Sequence, residues 1–322
     1  MRDPTRDIVR GLTALEMTVV NSSALGIFAH APYIGSMTYA DNIFPCFAFL
    51  SGMSPATPRK SVGLIGVGLA LHSIQAAASG KKIRVPGVLQ RLGIASLIFN
   101  AYPQQELALV GTAVWYAASV GLADNKQQPF EPASGSAQTK VDKMICGDRI
   151  YTSSYDPEGL LGNLTCALSM LSGYLFQSYN LSMERSVVSG LGMIGLSLGL
   201  HTFLPAYAPI SKSLWTPTFV LQSTGVSILK YTAMEALIPH LPQDVRYVLS
   251  CVGRRTLETF ILSTLVQMGL QYGSDSIWQR VKRALTPYIG EPAADFSLSA
   301  ALAGIVGFAA VTMVKEGIRL SW

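Results

Sequence analysis

The sequence predicts an all-α protein, a polytopic membrane helix bundle of about ten transmembrane helices. Three observations lead there. Only 13% of the 322 residues are charged while 49% are hydrophobic, and mean hydropathy is positive. Apolar stretches of roughly 17 to 25 residues, enough helix to cross a hydrocarbon core of ~30 Å, recur with short polar breaks. No strand-type alternation repeats along the chain, which leaves helices as the spanning architecture.

The predicted spans are 8–28, 39–55, 61–79, 86–102, 105–123, 159–178, 186–205, 214–238, 248–272 and 296–316. The first follows the charged segment "MRDPTRDIVRG", contains Glu16 and has no small-residue cleavage site, so it is expected to stay as a helix. The fourth starts at Pro86, a good first-turn residue, and the sixth follows "YDPEG", where Asp156, Pro157 and Glu158 form a natural helix start. Gly, Ser and Pro interrupt several spans, which neighbouring helices tolerate in a bundle. Residues 1–322 read as a single transmembrane domain, with one long non-cytosolic loop at 124–158 that is rich in Gln, Pro, Ala, Ser and Gly before "VDKMICGDRIYTSSYDPEG". A loop of that length is either a linker or a functional lid.

An even number of crossings puts both ends on one side. Arg2, Arg6 and Arg10 at the front, Lys315 and Arg319 at the back, and the turn at Arg59 and Lys60 make that side cytosolic by the positive-inside rule. Lys81, Lys82 and Arg84 in "SGKKIRVPG" then fall on the far side and need another reason to exist. The net charge of +5 reflects such loops and implies no nucleic-acid partner. The four cysteines and four histidines are dispersed without metal-type spacing, so no metal site is expected.

An ionisable side chain inside a bilayer costs about 2.5–3.5 kcal/mol on insertion scales, so each is a candidate for function. His30 and Asp41 bracket the loop between the first two spans. A carboxylate that orients one imidazole nitrogen lets the other accept a proton near neutral pH. Asp41 also suits a helix cap. Asn21, nine residues before His30, lies on the opposite face of an unbroken helix and can approach it only if the helix ends at Ser22, Ser23 or Gly26. "KIRVPGVLQRLG" drives Gln90 and Arg91 into the membrane beside Arg84, and "SKSLWTPTFVL" places Lys212 and Trp215 at a helix mouth.

Five blocks in order, "DIVRGLTALEMTVVN" (7–21), "HAPYIGSMTYADNIFPCFAFLSG" (30–52), "RVPGVLQRLG" (84–93), "DPEGLLG" (156–162) and "SKSLWTPTFVL" (211–221), resemble the heparan-alpha-glucosaminide N-acetyltransferase family. The resemblance implies a multi-pass enzyme that moves acetyl from cytosolic acetyl-CoA to the amine of a terminal glucosamine on the luminal or external side. It implies that His30 and Asp41 stand at the luminal mouth of a pore, that transfer runs through a ternary complex, and that the enzyme is a homodimer in a lysosomal or vacuolar membrane. Asn21, Arg84, Glu158 and Trp215 become candidates for the acceptor or acyl site. Where the family has Trp-Asn-Gly, this chain has Tyr33-Ile34-Gly35, which makes Tyr33 a candidate for acceptor choice.

In that chemistry His30 takes the proton of the attacking amine, Asp41 holds the imidazole's tautomer, and Asn21 steadies the oxyanion. Coenzyme A phosphates require cations. Arg10, Arg59 and Lys60 lie towards the cytosol, whereas Arg91, with Gln90, and Lys212 lie deeper or on the far side; the sequence does not choose between these sets. The rival readings are a proton-coupled transporter, an O-acyltransferase of a surface glycan, and a scaffold.

Overall fold

The computed structural model describes residues 3–35, 37–102, 106–273 and 275–320. Arg2 and residue 105, where the fifth predicted span begins, lie outside them. Among the described residues there are thirteen α-helices and no strand. Among the described residues each predicted span overlaps helix, though 8–28 leaves it at Ser22 and 248–272 is broken, and the chain divides into two compact units.

Among the described residues, unit 1 comprises those up to His30, the segment Thr38–Ile43, and those from Lys230 onwards. Helix α1 (Pro4–Ser22) starts where Asp3 accepts from the amides of Thr5 and Arg6, with Pro4 in the first turn. It ends at Ser22, as the Ser22–Ser23 break in the sequence suggests. Two glycines let α1 and α10 (Gln243–Arg254) approach to backbone contact. A Cβ on Gly11 would overlap the Leu249 carbonyl, and one on Gly253 would overlap the Asp7 carbonyl. Since 11 meets 249 and 7 meets 253, the two helices run antiparallel. The predicted span 248–272 is therefore not one helix. It breaks at Arg254 and Arg255 and resumes as α11 (Thr256–Gln271), whose last residue donates to the Ser22 carbonyl at 3.3 Å. Then come α12 (Ile277–Ile289), capped by Ser276, and α13 (Glu291–Lys315), which packs on α1, α10, α11 and α12. Lys230, in the part of α9 (Pro217–Leu237) that belongs to this unit, pairs with Glu16. Each answers the other's charge within the helix layer.

Unit 2 comprises residues 31–37 and Phe44–Leu229. Helix α2 (Ile43–Gly52) packs on α7 (Gly162–Tyr179) through Gly52 and Gly173, whose missing side chains admit the carbonyls of Met170 and Phe49. Helix α3 (Pro58–Ser79) pairs with α4 (Val88–Ala101), and Ser61 donates to Ser96 between them at 2.9 Å. A π turn at Leu107–Gly111 leads into α5 (Thr112–Gly121). Helix α8 (Met183–Phe203) meets α9 where Ser197 donates to the Thr218 carbonyl at 2.7 Å.

The 124–158 connection is folded. It carries α6 (Ala137–Cys146), capped by Ser136, and inserts Phe130 against Trp115 with their rings stacked at 5.6 Å. It also explains the basic loop before α4. Lys82 pairs with Asp148, Arg84 pairs with Asp156 and Glu158, and the Val85 amide donates to the Arg149 carbonyl at 2.9 Å.

Helices α3, α8 and α13 are long and apolar enough to cross a membrane. Their outward side chains fit that reading, with Val62 and Ile74 on α3, Val188, Leu191 and Leu196 on α8, and Ile305 and Phe308 on α13 all exposed. Contiguous apolar surface of this kind is stable against lipid, not water. The other helices are shorter or less apolar, such as α1 with Arg6, Asp7, Arg10 and Glu16, so length and apolarity alone do not reach a count of ten.

Candidate active site

The sequence-derived candidates divide between the two units, and each group has its own geometry. In unit 1, His30 follows a single 3₁₀ turn at Gly26–Phe28 and remains about half exposed. Its Nδ1 lies 2.8 Å from Oδ1 of Asp41, which is fully buried. The other Asp41 oxygen accepts from the Thr38 amide at 3.1 Å and the Thr38 hydroxyl at 2.9 Å. Asp41 is thus not the helix cap expected from sequence. Asp41 lies inside the 3₁₀ turn Ala40–Asn42, and its carboxylate reaches back three residues to the Thr38 amide, as the acidic member of a capping box does. That arrangement fixes the carboxylate before the histidine meets it. A carboxylate can only accept, so Nδ1 carries the proton and Nε2 becomes the accepting nitrogen of the neutral ring.

Asn21 is exposed at the last turn of α1, where its carbonyl accepts from Gln267 and its side of the helix borders a cavity with Lys282 and Asp295. Arg10 is half-buried two turns from the start of α1.

In unit 2, Arg84, Asp156 and Glu158 form one network. Arg84 donates through Nε to Asp156 at 2.9 Å and through Nη2 to both carboxylates, and its guanidinium lies 4.9 Å from the Tyr151 ring centroid. Burial alone would lower the Arg84 pKa, but Asp156 and Glu158 outweigh it and raise it. Asp156 also accepts from the amides of Tyr151 at 2.7 Å and Glu158 at 2.9 Å. The turn these bonds close delays α7 to Gly162, several residues after the helix start read from "YDPEG".

Arg91 is buried on α4. Its Nη2 donates to the Gly159 carbonyl at 2.7 Å and its guanidinium stacks 5.0 Å from the Trp215 ring centroid. Nε and Nη1 have no hydrogen-bond partner among the described residues. Trp215 is fully buried, takes a left-handed φ of 53°, and donates to Ser169 at 3.2 Å. A bulky residue held in that region marks a strained position that the surroundings impose. Lys212, half-buried, begins the turn that creates it, with the Trp215 amide on the Lys212 carbonyl at 3.0 Å. Gln90 is turned towards α3, with its amide 3.3 Å from His72 Nδ1. Tyr33 packs edge-on against Tyr155 at 4.9 Å, its carbonyl accepts from Ser211, and its hydroxyl donates to Ser136 at 3.3 Å. Burial pushes the Tyr33 phenol well above its ordinary value, so it remains a neutral donor.

Asp142 belongs to this group and was not singled out from sequence. It lies on the buried stripe of α6 with Gln138 and Cys146, an i, i+4 pattern that marks a carboxylate pointing inward. Oδ1 accepts from the Leu160 amide at 2.7 Å, while Oδ2 is buried without a partner. Burial pushes its pKa up to about 6. Because the folded value exceeds the unfolded one, the folded state holds the proton more tightly. That advantage is complete below about pH 4 and is lost as pH rises through about 6. Asp142→Asn cannot titrate, so its stability relative to the parent should rise by about 2–3 kcal/mol between pH 4 and pH 8. Thermal melts of both proteins across that range measure it, and a constant gap would contradict the assignment.

With both groups of residues placed, comparison with known proteins adds a direction. No protein-family model matches the chain. The chain is similar to heparan-alpha-glucosaminide N-acetyltransferase. The human protein of that name is 23% identical over 322 aligned positions, covering 72% of this chain and 48% of its own length, and the mouse protein is 23% identical over 323 positions with the same coverage. The chain thus spans about half the length of the curated relatives it matches. Those relatives are named as N-acetyltransferases, in keeping with the five sequence blocks.

Proposed function

We propose that this chain is a membrane-embedded acetyltransferase that transfers acetyl from acetyl-CoA to the amine of a glucosamine-type sugar. The carrying observation is the His30–Asp41 hydrogen bond, in which a buried, pre-positioned carboxylate holds the tautomer a general base requires.

The unprotonated amine attacks the thioester carbonyl while His30 Nε2 accepts its proton. The tetrahedral intermediate collapses, the carbon–sulfur bond breaks, and the departing thiolate receives a proton, giving an amide and free coenzyme A. Asp41 offsets the charge of the imidazolium. Asn21 is the proposed donor to the oxyanion, with Arg84, Glu158, Trp215 and Tyr33 shaping the acceptor or acyl side. Arg10, Arg91, Gln90 and Lys212 are the groups proposed for acetyl-CoA. Of these, Arg91 has buried N–H groups still to be satisfied, which suits an anionic or carbonyl oxygen. The reaction needs both substrates together and no acetylated enzyme. Ten crossings, a homodimer, and a lysosomal or vacuolar membrane complete the proposal.

Purified protein supplied with labelled acetyl-CoA and a panel of amino and neutral sugars tests it. Labelled amide on the amino sugars supports the reading. Ester on neutral sugars would make it an O-acyltransferase, and no product at all would favour a carrier.

A further inference from the structure

Helix α12 carries more apolar surface than its packing uses. At 100° per residue its side chains fall into three groups. Trp278, Lys282 and Leu285 turn inward, where Trp278 is buried and Lys282 pairs with Glu291 at 3.1 Å and Asp295 at 3.3 Å. Ile277, Val281, Ala284 and Tyr288, at i, i+4, i+7 and i+11, form a second stripe about 60° wide, and all four are exposed. Gln279, Arg280 and Arg283 make the third face, on which both arginines share one carboxylate, Asp275. One positive charge is left over there.

Both ends of α12 are anchored where other helices of unit 1 stop or start. Gln271, the last residue of α11, donates to the Ser22 carbonyl at 3.3 Å. Asp295, in the second turn of α13, is buried and accepts from the Ser23 hydroxyl at 2.5 Å and the Ala24 amide at 2.8 Å. The 13 residues of α12 cover only ~20 Å, too short to cross a ~30 Å core. A turn at Gly290, with φ 79°, then leads into α13, which is long and apolar enough to cross one. Phe296, Ala300, Gly304 and Phe308 are exposed at every fourth residue of α13, so its lipid-facing stripe begins in its second turn. The bare stripe of α12 thus lies at the edge of a surface already assigned to lipid.

Water does not stabilise such a stripe, and a protein partner would not call for a cationic face beside it. A phospholipid layer answers both. Its acyl boundary takes the apolar side chains, its phosphates take guanidinium groups, and tyrosine favours the boundary itself. We propose that α12 is an interfacial helix lying in the headgroup layer, with Ile277, Val281, Ala284 and Tyr288 in the acyl boundary and Arg280 and Arg283 among the phosphates. The Lys282–Asp295 pair ties that layer to Ser23 and Ala24, so α12 sets the depth at which α1 ends. The proposal rests on the lipid-facing reading of α13 and not on the acetyl-transfer chemistry.

The full chain in phosphatidylcholine vesicles tests it, with one nitroxide-labelled cysteine at a time. Ile277→Cys, Val281→Cys and Tyr288→Cys sample the stripe, Gln279→Cys and Arg283→Cys the polar face, and Phe308→Cys serves as the lipid reference. All six positions are exposed, so the labels displace no packed side chain, and the four native cysteines are buried. Stripe labels should collide with oxygen in preference to a water-soluble nickel chelate and report depths of about 5–10 Å below the headgroups. Polar-face labels should favour the chelate, leaving the oxygen-to-chelate ratio at Val281 several-fold above that at Gln279. Equal ratios at these two positions would overturn the proposal. So would stripe labels that are immobilised and shielded from both probes, because a second copy of the chain or another protein would then cover them. If Phe308 favours oxygen and Val281 does not, only the interfacial helix falls; if neither does, the membrane placement of α13 falls with it.

Discussion

His30→Ala should reduce acetyl transfer by about 10²–10⁴-fold, the contribution of a positioned general base. The loss should fall on kcat, with KM for acetyl-CoA little changed, because the imidazole acts on the amine proton and not on the cofactor. The protein should remain folded. His30 is about half exposed, so removing it opens no cavity, and Asp41 retains the Thr38 amide and hydroxyl as donors. Asp41→Asn should also lose two orders of magnitude or more, since an amide can present its NH₂ to Nδ1 and favour the wrong tautomer. Steady-state kinetics with labelled acetyl-CoA measure both. Full activity in His30→Ala would remove the base from the mechanism.

Arg84→Met should be the most destabilising single change in unit 2. It strips the fully buried Asp156 of a two-pronged partner and leaves Glu158 without its cation, and breaking such a network by removing one member costs about 3–5 kcal/mol. Arg84→Lys should recover only part of that, because an ammonium cannot serve both carboxylates from a planar fork. Adding Asp156→Asn to Arg84→Met should restore stability by removing the uncompensated charge. Thermal unfolding in detergent reads all three. Wild-type stability in Arg84→Met would mean the network is solvated, contrary to the burial of Asp156.

The two networks differ in how visible they were before folding. His30 and Asp41 are eleven residues apart with one helix end on either side, so local chemistry brings them to attention as a pair. Arg84 and Asp156 are 72 residues apart, and the sequence showed an unexplained basic loop and a carboxylate that a helix start already accounted for; their meeting depends on how the 124–158 segment folds over the start of α4. Hydropathy located the helices because burial in lipid or core demands the same apolar length. It ran together 248–272, since apolar residues flank Arg254 and Arg255 closely enough to hide the break. It passed over α12, whose apolar positions Ile277, Trp278, Val281 and Leu285 form a stripe too sparse for a span. Asp142 was legible only through its helical spacing with Gln138 and Cys146.

The most direct measurement of the central claim is the chemical fate of the acetyl group. Protein incubated with carbonyl-labelled acetyl-CoA and glucosamine should yield N-acetylglucosamine with the label in an amide, one free thiol of coenzyme A per amide, and no label left on the protein after quenching. Label retained on the protein, an ester in place of the amide, or intact glucosamine with undiminished acetyl-CoA would contradict it.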